Sequence, residues 1–221
     1  MSVFLSGVGA YLPNREVSNE TLAALHGAEG TDIEARTGIR RRFLAASGVD
    51  AAQMGTAAAR EALASSGCES TAVGLVIVAS TFRSAYPRLS PAETVKRRLG
   101  LVRARAIDLA TPETGLLEGL RLAWYAVERG EVEAALVVGA EGFSAATSLR
   151  DRRTCYLFSD GAGAMVLDRR GGFAQLEAPR CGAWTEENAA AIEASSPRVG
   201  STRVARCLAV VVWASTIGTV V

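Results

Sequence analysis

Few side chains here could do chemistry, and their spacing narrows the choice. Cys68, Cys155, Cys181 and Cys207 lie far apart, with no Cys-x-x-Cys pair. They read as free thiols of a reducing compartment, not as a disulfide or zinc framework. No metal or cofactor is expected. The one histidine, His26, sits beside Gly27 at an expected helix end and reads as a surface residue. A mechanism needing two histidines from this sequence is excluded. Gly7-Val8-Gly9 lacks the third glycine and the following helix of a dinucleotide fingerprint. The Asp160-Gly161-Ala162-Gly163-Ala164 run precedes an expected strand, so it does not read as a phosphate loop either; small residues there suit close backbone approach, and Asp160 suits a turn. Thr111-Pro112-Glu113 is a good helix start, with Thr111 as N-cap and Glu113 as a favourable first-turn acid. The basic stretch from Arg36 to Arg42 is compatible with solvated surface.

The elements that must position these groups alternate along the chain. An apolar, glycine-bearing run at residues 3–9 predicts an opening strand. Ser18 predicts an N-cap for a short helix to residue 25. Asp50 and Gln53 have capping-box spacing, and the alanine-rich run behind them predicts a helix to Ser66, stopped by Gly67. Val73–Ala79 reads as a strand buried on both faces. Ser90-Pro91-Ala92-Glu93 opens another helix, ending near Gly100. A strand at 106–109 leads to a helix at 112–128, whose Leu116, Leu120, Ala123, Trp124 and Val127 share a face. Further strands are predicted at 134–138 and 164–167. Strands alternating with helices imply α/β layers: a mixed, mostly parallel sheet with helices on its faces.

The sequence is 49% hydrophobic and 21% charged, with net charge +1, values of an ordinary globular domain. Nothing in that balance calls for a nucleic-acid or anionic-membrane partner. The first 13 residues lack the basic end and apolar run of a signal peptide. A domain is expected over 1–170. Residues 171–221 are a tail of uncertain structure: polar at first, then uncharged from 207 to 221. That last run is shorter than a bilayer span and rich in β-branched residues, which favours a buried strand over a membrane-seated tail.

Several segments, in this order, resemble the β-ketoacyl-ACP synthase III branch of the thiolase superfamily. They are residues 7–13 (GVGAYLP), 34–42 (EARTGIRRR, similar to an RTGIxxR motif), 76–81 followed by Tyr86-Pro87, 106–109 (AIDL), 136–141 (LVVGAE) followed by Ser144, and 157–164 (LFSDGAGA, similar to LFGDGAGA). The resemblance runs from residue 1 to about 168. It implies a thiolase-like layered fold and chemistry on acyl-CoA or acyl-carrier-protein thioesters.

In that family a cysteine sits at the N-terminus of a buried helix after a DLxAA turn. The helix dipole lowers its pKa, and the thiolate takes the acyl group. A histidine and an asparagine from the C-terminal half then promote decarboxylation of a malonyl unit and condensation. Here the turn reads Asp108-Leu109-Ala110-Thr111-Pro112-Glu113, so Glu113 stands at the nucleophile position. A carboxylate there stays ionised and is a poor thioester acceptor. No histidine follows His26, and the family's C-terminal half has no expected counterpart.

The resemblance further places Arg36 and Arg152 at the nucleotide end of coenzyme A, where arginine suits phosphate and can stack on adenine. The family's tryptophan four residues before the first arginine is Asp32 here. Tyr86 and Phe158 correspond to acyl-pocket positions, with plain core as the other reading.

The expected function is a non-condensing ketoacyl synthase III-like protein of cytoplasmic fatty-acid or polyketide biosynthesis. It would work as a homodimer or as a heterodimer with an active ketosynthase. The alternatives are a decarboxylase or acyltransferase on carrier-protein or CoA thioesters, or a truncated remnant.

Overall fold

The computed structural model describes residues 2–27, 30–81, 90–111 and 114–178. Its centre is a six-stranded sheet of β1 (Val3–Tyr11), β4 (Val73–Ala79), β5 (Arg105–Leu109), β6 (Ala134–Gly142), β7 (Asp160–Asp168) and β8 (Ala174–Leu176). The order is β5-β4-β6-β7-β1-β8. β5, β4 and β6 pair in parallel, while β7 lies antiparallel to both β6 and β1. Thus β5, β4, β6 and β1 run one way, and β7 and β8 run the other. The sheet is mixed and mostly parallel in strand direction, as the alternation of elements predicts. It also takes in Ala174–Leu176, past the boundary expected at about 170.

Helices cover both faces. On one lie α3 (Ala51–Ser66) and α4 (Pro91–Arg98), on the other α5 (Gly115–Glu128). The alternation within β4 explains the layering. Val76 and Val78 turn towards Met54, Ala58 and Val95, while Leu75, Ile77 and Ala79 turn towards Leu116, Ala123 and Val127. All seven β4 positions except Gly74 are buried.

Local sequence signals account for the helix ends. Ser18 caps α1 (Asn19–His26) by accepting from the Thr21 N–H, and Gly27 closes it in the left-handed region at φ 62°. Asp50 and Gln53 form the reciprocal capping box of α3. Ser90 accepts from the Glu93 N–H to start α4, which Asp108 reinforces by accepting from the Ala92 N–H at 2.7 Å. α5 departs from expectation: it runs from Gly115 with Thr114, not Thr111, as its N-cap and with no side-chain capping bond, while the Gly115 N–H donates to the Thr111 carbonyl at 3.1 Å.

Two expectations need correction. The 160–164 glycine-rich segment does not precede a strand; it is the first half of β7, paired with β6 and β1 and buried throughout. Its small side chains let α3 lie close over the middle of the sheet. The chain also forms α2 (Gly30–Thr37) and a two-stranded sheet of β2 (Arg15–Ser18) and β3 (Arg41–Leu44), which periodicity does not reveal. Among the described residues, no helix is long and apolar enough to cross a membrane. The apolar strand read at the end of the chain lies outside the described residues.

Candidate functional site

α2 and the irregular segment before β7 form the two walls of a cleft of about 400 Å³. Asp32, Ile33, Arg36 and Thr37 line one wall; Arg152, Arg153, Tyr156 and Leu157 line the other. The α2 wall is shaped locally. Ile33 is buried and anchors the helix. Thr37 Oγ1 donates to the Ile33 carbonyl at 2.6 Å and accepts from the Ile39 N–H at 3.1 Å. Gly38, at φ 68°, donates to the Glu34 carbonyl at 2.7 Å. The Thr-Gly pair of the RTGI segment therefore turns the chain out of the helix.

Asp151 organises the second wall. Its backbone carbonyl accepts from the Thr154 and Cys155 N–H groups, at 3.1 and 2.9 Å. Its carboxylate takes Arg153 Nε at 3.0 Å, and this hydrogen bond holds Asp151 below the usual carboxylate range while pushing Arg153 up. Arg153 is thus occupied. Among the described residues, Arg36 and Arg152 have no carboxylate within ion-pair distance. Two guanidinium groups distant in sequence share one cleft, and no counter-charge among the described residues is bonded to either. Asp32 lines the same cleft and reduces its positive potential.

Phe158 belongs elsewhere. It stacks on Phe143, with centroids 4.4 Å apart and an 18° interplanar angle. With Arg15, Leu44, Val49, Leu149 and Cys155 it borders a second cleft of about 430 Å³. Glu113 and Tyr86 lie outside the described residues. The expected site residues therefore divide into one convergent pair, Arg36 with Arg152, and one residue on another cleft.

His26 is not the plain surface residue that its place beside Gly27 suggests. Its Nε2 lies 2.8 Å from the Leu149 carbonyl and 3.4 Å from Cys155 Sγ, and its ring meets Tyr156 edge-on at 5.5 Å. A carbonyl only accepts, so Nε2 carries a proton and cannot receive one from the thiol. Burial pushes the Cys155 thiol up, against a smaller downward pull from Arg42. Cys155 is therefore not an activated nucleophile, despite its His neighbour.

Arg42, which sequence reasoning did not single out, is fully buried. It donates to Asn19 Oδ1 and, through Nε at 3.1 Å and again through Nη2, to the Tyr156 carbonyl. The only signal for it was its place at the end of the RTGIxxR-like segment. Asp160, also buried, accepts from the N–H groups of Ala45 at 2.7 Å and Ser144 at 2.8 Å, and from the Ser144 hydroxyl. That carboxylate is a structural clamp between loops. Among the described residues, no group of three or more His, Cys, Asp or Glu side chains could hold a metal ion.

A family model described as 3-oxoacyl-[acyl-carrier-protein] synthase III matches residues 107–179. The chain is 40% identical over 164 residues to β-ketoacyl-[acyl-carrier-protein] synthase III of Acidiphilium cryptum, covering 74% of this chain and 51% of that protein. It is 41% identical over 162 residues to the protein of the same name from Paramagnetospirillum magneticum, covering 73% and 49%. Among solved structures, 3-oxoacyl-(acyl carrier protein) synthase III of Pseudomonas aeruginosa superposes with a TM-score of 0.70 at 36% identity, covering 77% of this chain and 51% of that one. A priming β-ketosynthase of a polyketide biosynthetic pathway gives 0.71 at 34% identity, covering 75% and 49%. The chain spans about half the length of the relatives it matches. Over the part that these relatives share, the protein is a β-ketoacyl-ACP synthase III-like member of the thiolase superfamily.

Proposed function

We propose that this chain is a non-condensing synthase III-like protein of fatty-acid or polyketide biosynthesis. It binds the phosphate-bearing end of CoA or carrier-protein thioesters and works beside an active ketosynthase in the cytoplasm. The observation that carries the reading is the convergence of Arg36 and Arg152 on one cleft with, among the described residues, no carboxylate bonded to either. Arginine is the side chain best fitted to phosphate. The non-condensing part rests on Glu113 at the cysteine position of the family's turn and on a Cys155 thiol raised by burial.

A dimer suits the sheet. Among the described residues β5 is an edge strand paired only with β4, and Ile107 on it is 36% exposed. An open edge with apolar surface favours pairing with a second strand.

The test is calorimetric titration of the protein with CoA and with adenosine 3′,5′-bisphosphate, beside Arg36→Ala and Arg152→Ala. Binding that weakens roughly tenfold or more in each variant supports the reading. Equal binding by all three proteins sinks it. Release of carbon dioxide from malonyl-CoA, lost in Glu113→Gln, would replace the non-condensing partner by a decarboxylase.

A further inference from the structure

Arg42 is the last arginine of the 36–42 stretch and is fully buried in it. Among the described residues it has no carboxylate within ion-pair distance. Burying a guanidinium without a counter-ion is costly, and plain packing at this place would be met better by an apolar side chain. What Arg42 does instead is bridge. Nη1 reaches Asn19 Oδ1 at the start of α1. Nε and Nη2 both donate to the Tyr156 carbonyl.

Both ends of the bridge lead to the cleft. Asn19 Nδ2 donates at 2.8 Å to the Ile39 carbonyl, two residues beyond the end of α2, which carries Arg36. Tyr156 lines the opposite wall with Arg152. His26, at the far end of α1, holds the Leu149 carbonyl in the segment that leads into that wall. Only a planar fork with several donors can serve the two acceptors together.

We infer that Arg42 is the positioning residue of the cleft: its bridge from Asn19 to the Tyr156 carbonyl sets the gap between the Arg36 wall and the Arg152 wall. It touches no ligand itself. The consequence for nucleotide binding rests on the reading of the cleft given above, whereas the positioning of the walls does not.

The test uses the intact chain with Arg42→Met, which keeps length but removes charge and donors, and Arg42→Lys, which keeps charge but not the fork. The first readout is the rate of iodoacetamide labelling of Cys155, followed by peptide mass spectrometry. Cys155 is 4% exposed and precedes Tyr156, so release of that wall exposes its thiol. Labelling should quicken roughly tenfold or more in both variants, while amide-exchange protection of β4 and β6 stays unchanged. Loss of the Arg42 charge alone would slow labelling, because the cation lowers the thiol pKa; acceleration therefore reports opening.

The second readout is the affinity for adenosine 3′,5′-bisphosphate, expected to fall roughly tenfold in both variants, as misplacement of binding groups requires. Unchanged labelling, or full retention of both readouts by Arg42→Lys, overturns the inference. If the unaltered chain binds no bisphosphate, the nucleotide reading falls and the labelling rates alone decide the role of Arg42. Should Arg42→Met not fold, Asn19→Ala removes one acceptor and must quicken Cys155 labelling, or the bridge has no such role.

Discussion

Gly9 in β1 faces Ala58 in α3 so closely that a Cβ on Gly9 would lie 2.2 Å from the Ala58 carbonyl oxygen. Backbone meets backbone there, and no side-chain rotation can relieve the contact. Gly7 stands in the same relation to the Ala62 carbonyl. The Gly-Val-Gly run that could suggest a nucleotide loop is a seat for a helix. Gly9→Ala should cost about 3 kcal/mol in urea unfolding, by overpacking. Gly67→Ala, in open space at φ 61°, should cost about 1 kcal/mol for its left-handed backbone alone. Equal costs would contradict the close approach.

The capping box of α3 offers a second stability test. Asp50 accepts from the Gln53 N–H at 2.7 Å, and the Gln53 side chain accepts from the Asp50 N–H at 2.9 Å. Asp50→Ala should lower unfolding free energy by about 1 kcal/mol, with an unchanged denaturant slope.

Asp32 places a negative charge on the cleft that holds Arg36 and Arg152. Asp32→Asn should tighten adenosine 3′,5′-bisphosphate binding about threefold at low salt, with the gain shrinking as ionic strength rises. Asp32→Trp should tighten it further if adenine stacks there. Titrations at two salt concentrations check both.

Cys155 has its thiol pKa raised, first by burial. The folded state therefore holds this proton more tightly than the unfolded chain does. As pH climbs past the usual thiol value of about 8.5, the unfolded state loses its proton first, and the stabilisation declines until the folded thiol ionises too. Cys155→Ser should flatten that alkaline decline in unfolding curves taken from pH 7 to pH 10. An unchanged slope would assign the decline to other groups.

If β5 pairs across a dimer, a charge at its edge should break it. Ile107→Lys should shift sedimentation from dimer to monomer, with far-ultraviolet circular dichroism unchanged. A monomer in both proteins would leave the β5 edge without that partner.

Much of this was written locally in the chain. Val73–Ala79 is uniformly apolar because its strand is covered on both faces, and Ser18, Asp50 and Ser90 mark helix starts because their side-chain oxygens meet backbone donors within three residues. Such signals act over one turn or one strand, so periodicity and capping rules reach them. The ordered motifs likewise brought out the family and named Arg36 and Arg152. Tertiary structure decided what depends on distant partners. The β2–β3 pair hides in Arg15-Glu16 and Arg41-Arg42, residues whose polarity masks a strand until the partner is known. The 160–164 segment reads as the lead-in to a strand until β6 and β1 are seen to pair with it. His26 and Arg42 look like ordinary polar residues in sequence. Only the fold brings Leu149 and Tyr156, more than a hundred residues later, to within hydrogen-bonding distance of them. A hydrogen bond carries no trace in the spacing of residues that far apart, so its partners are set by chain topology alone.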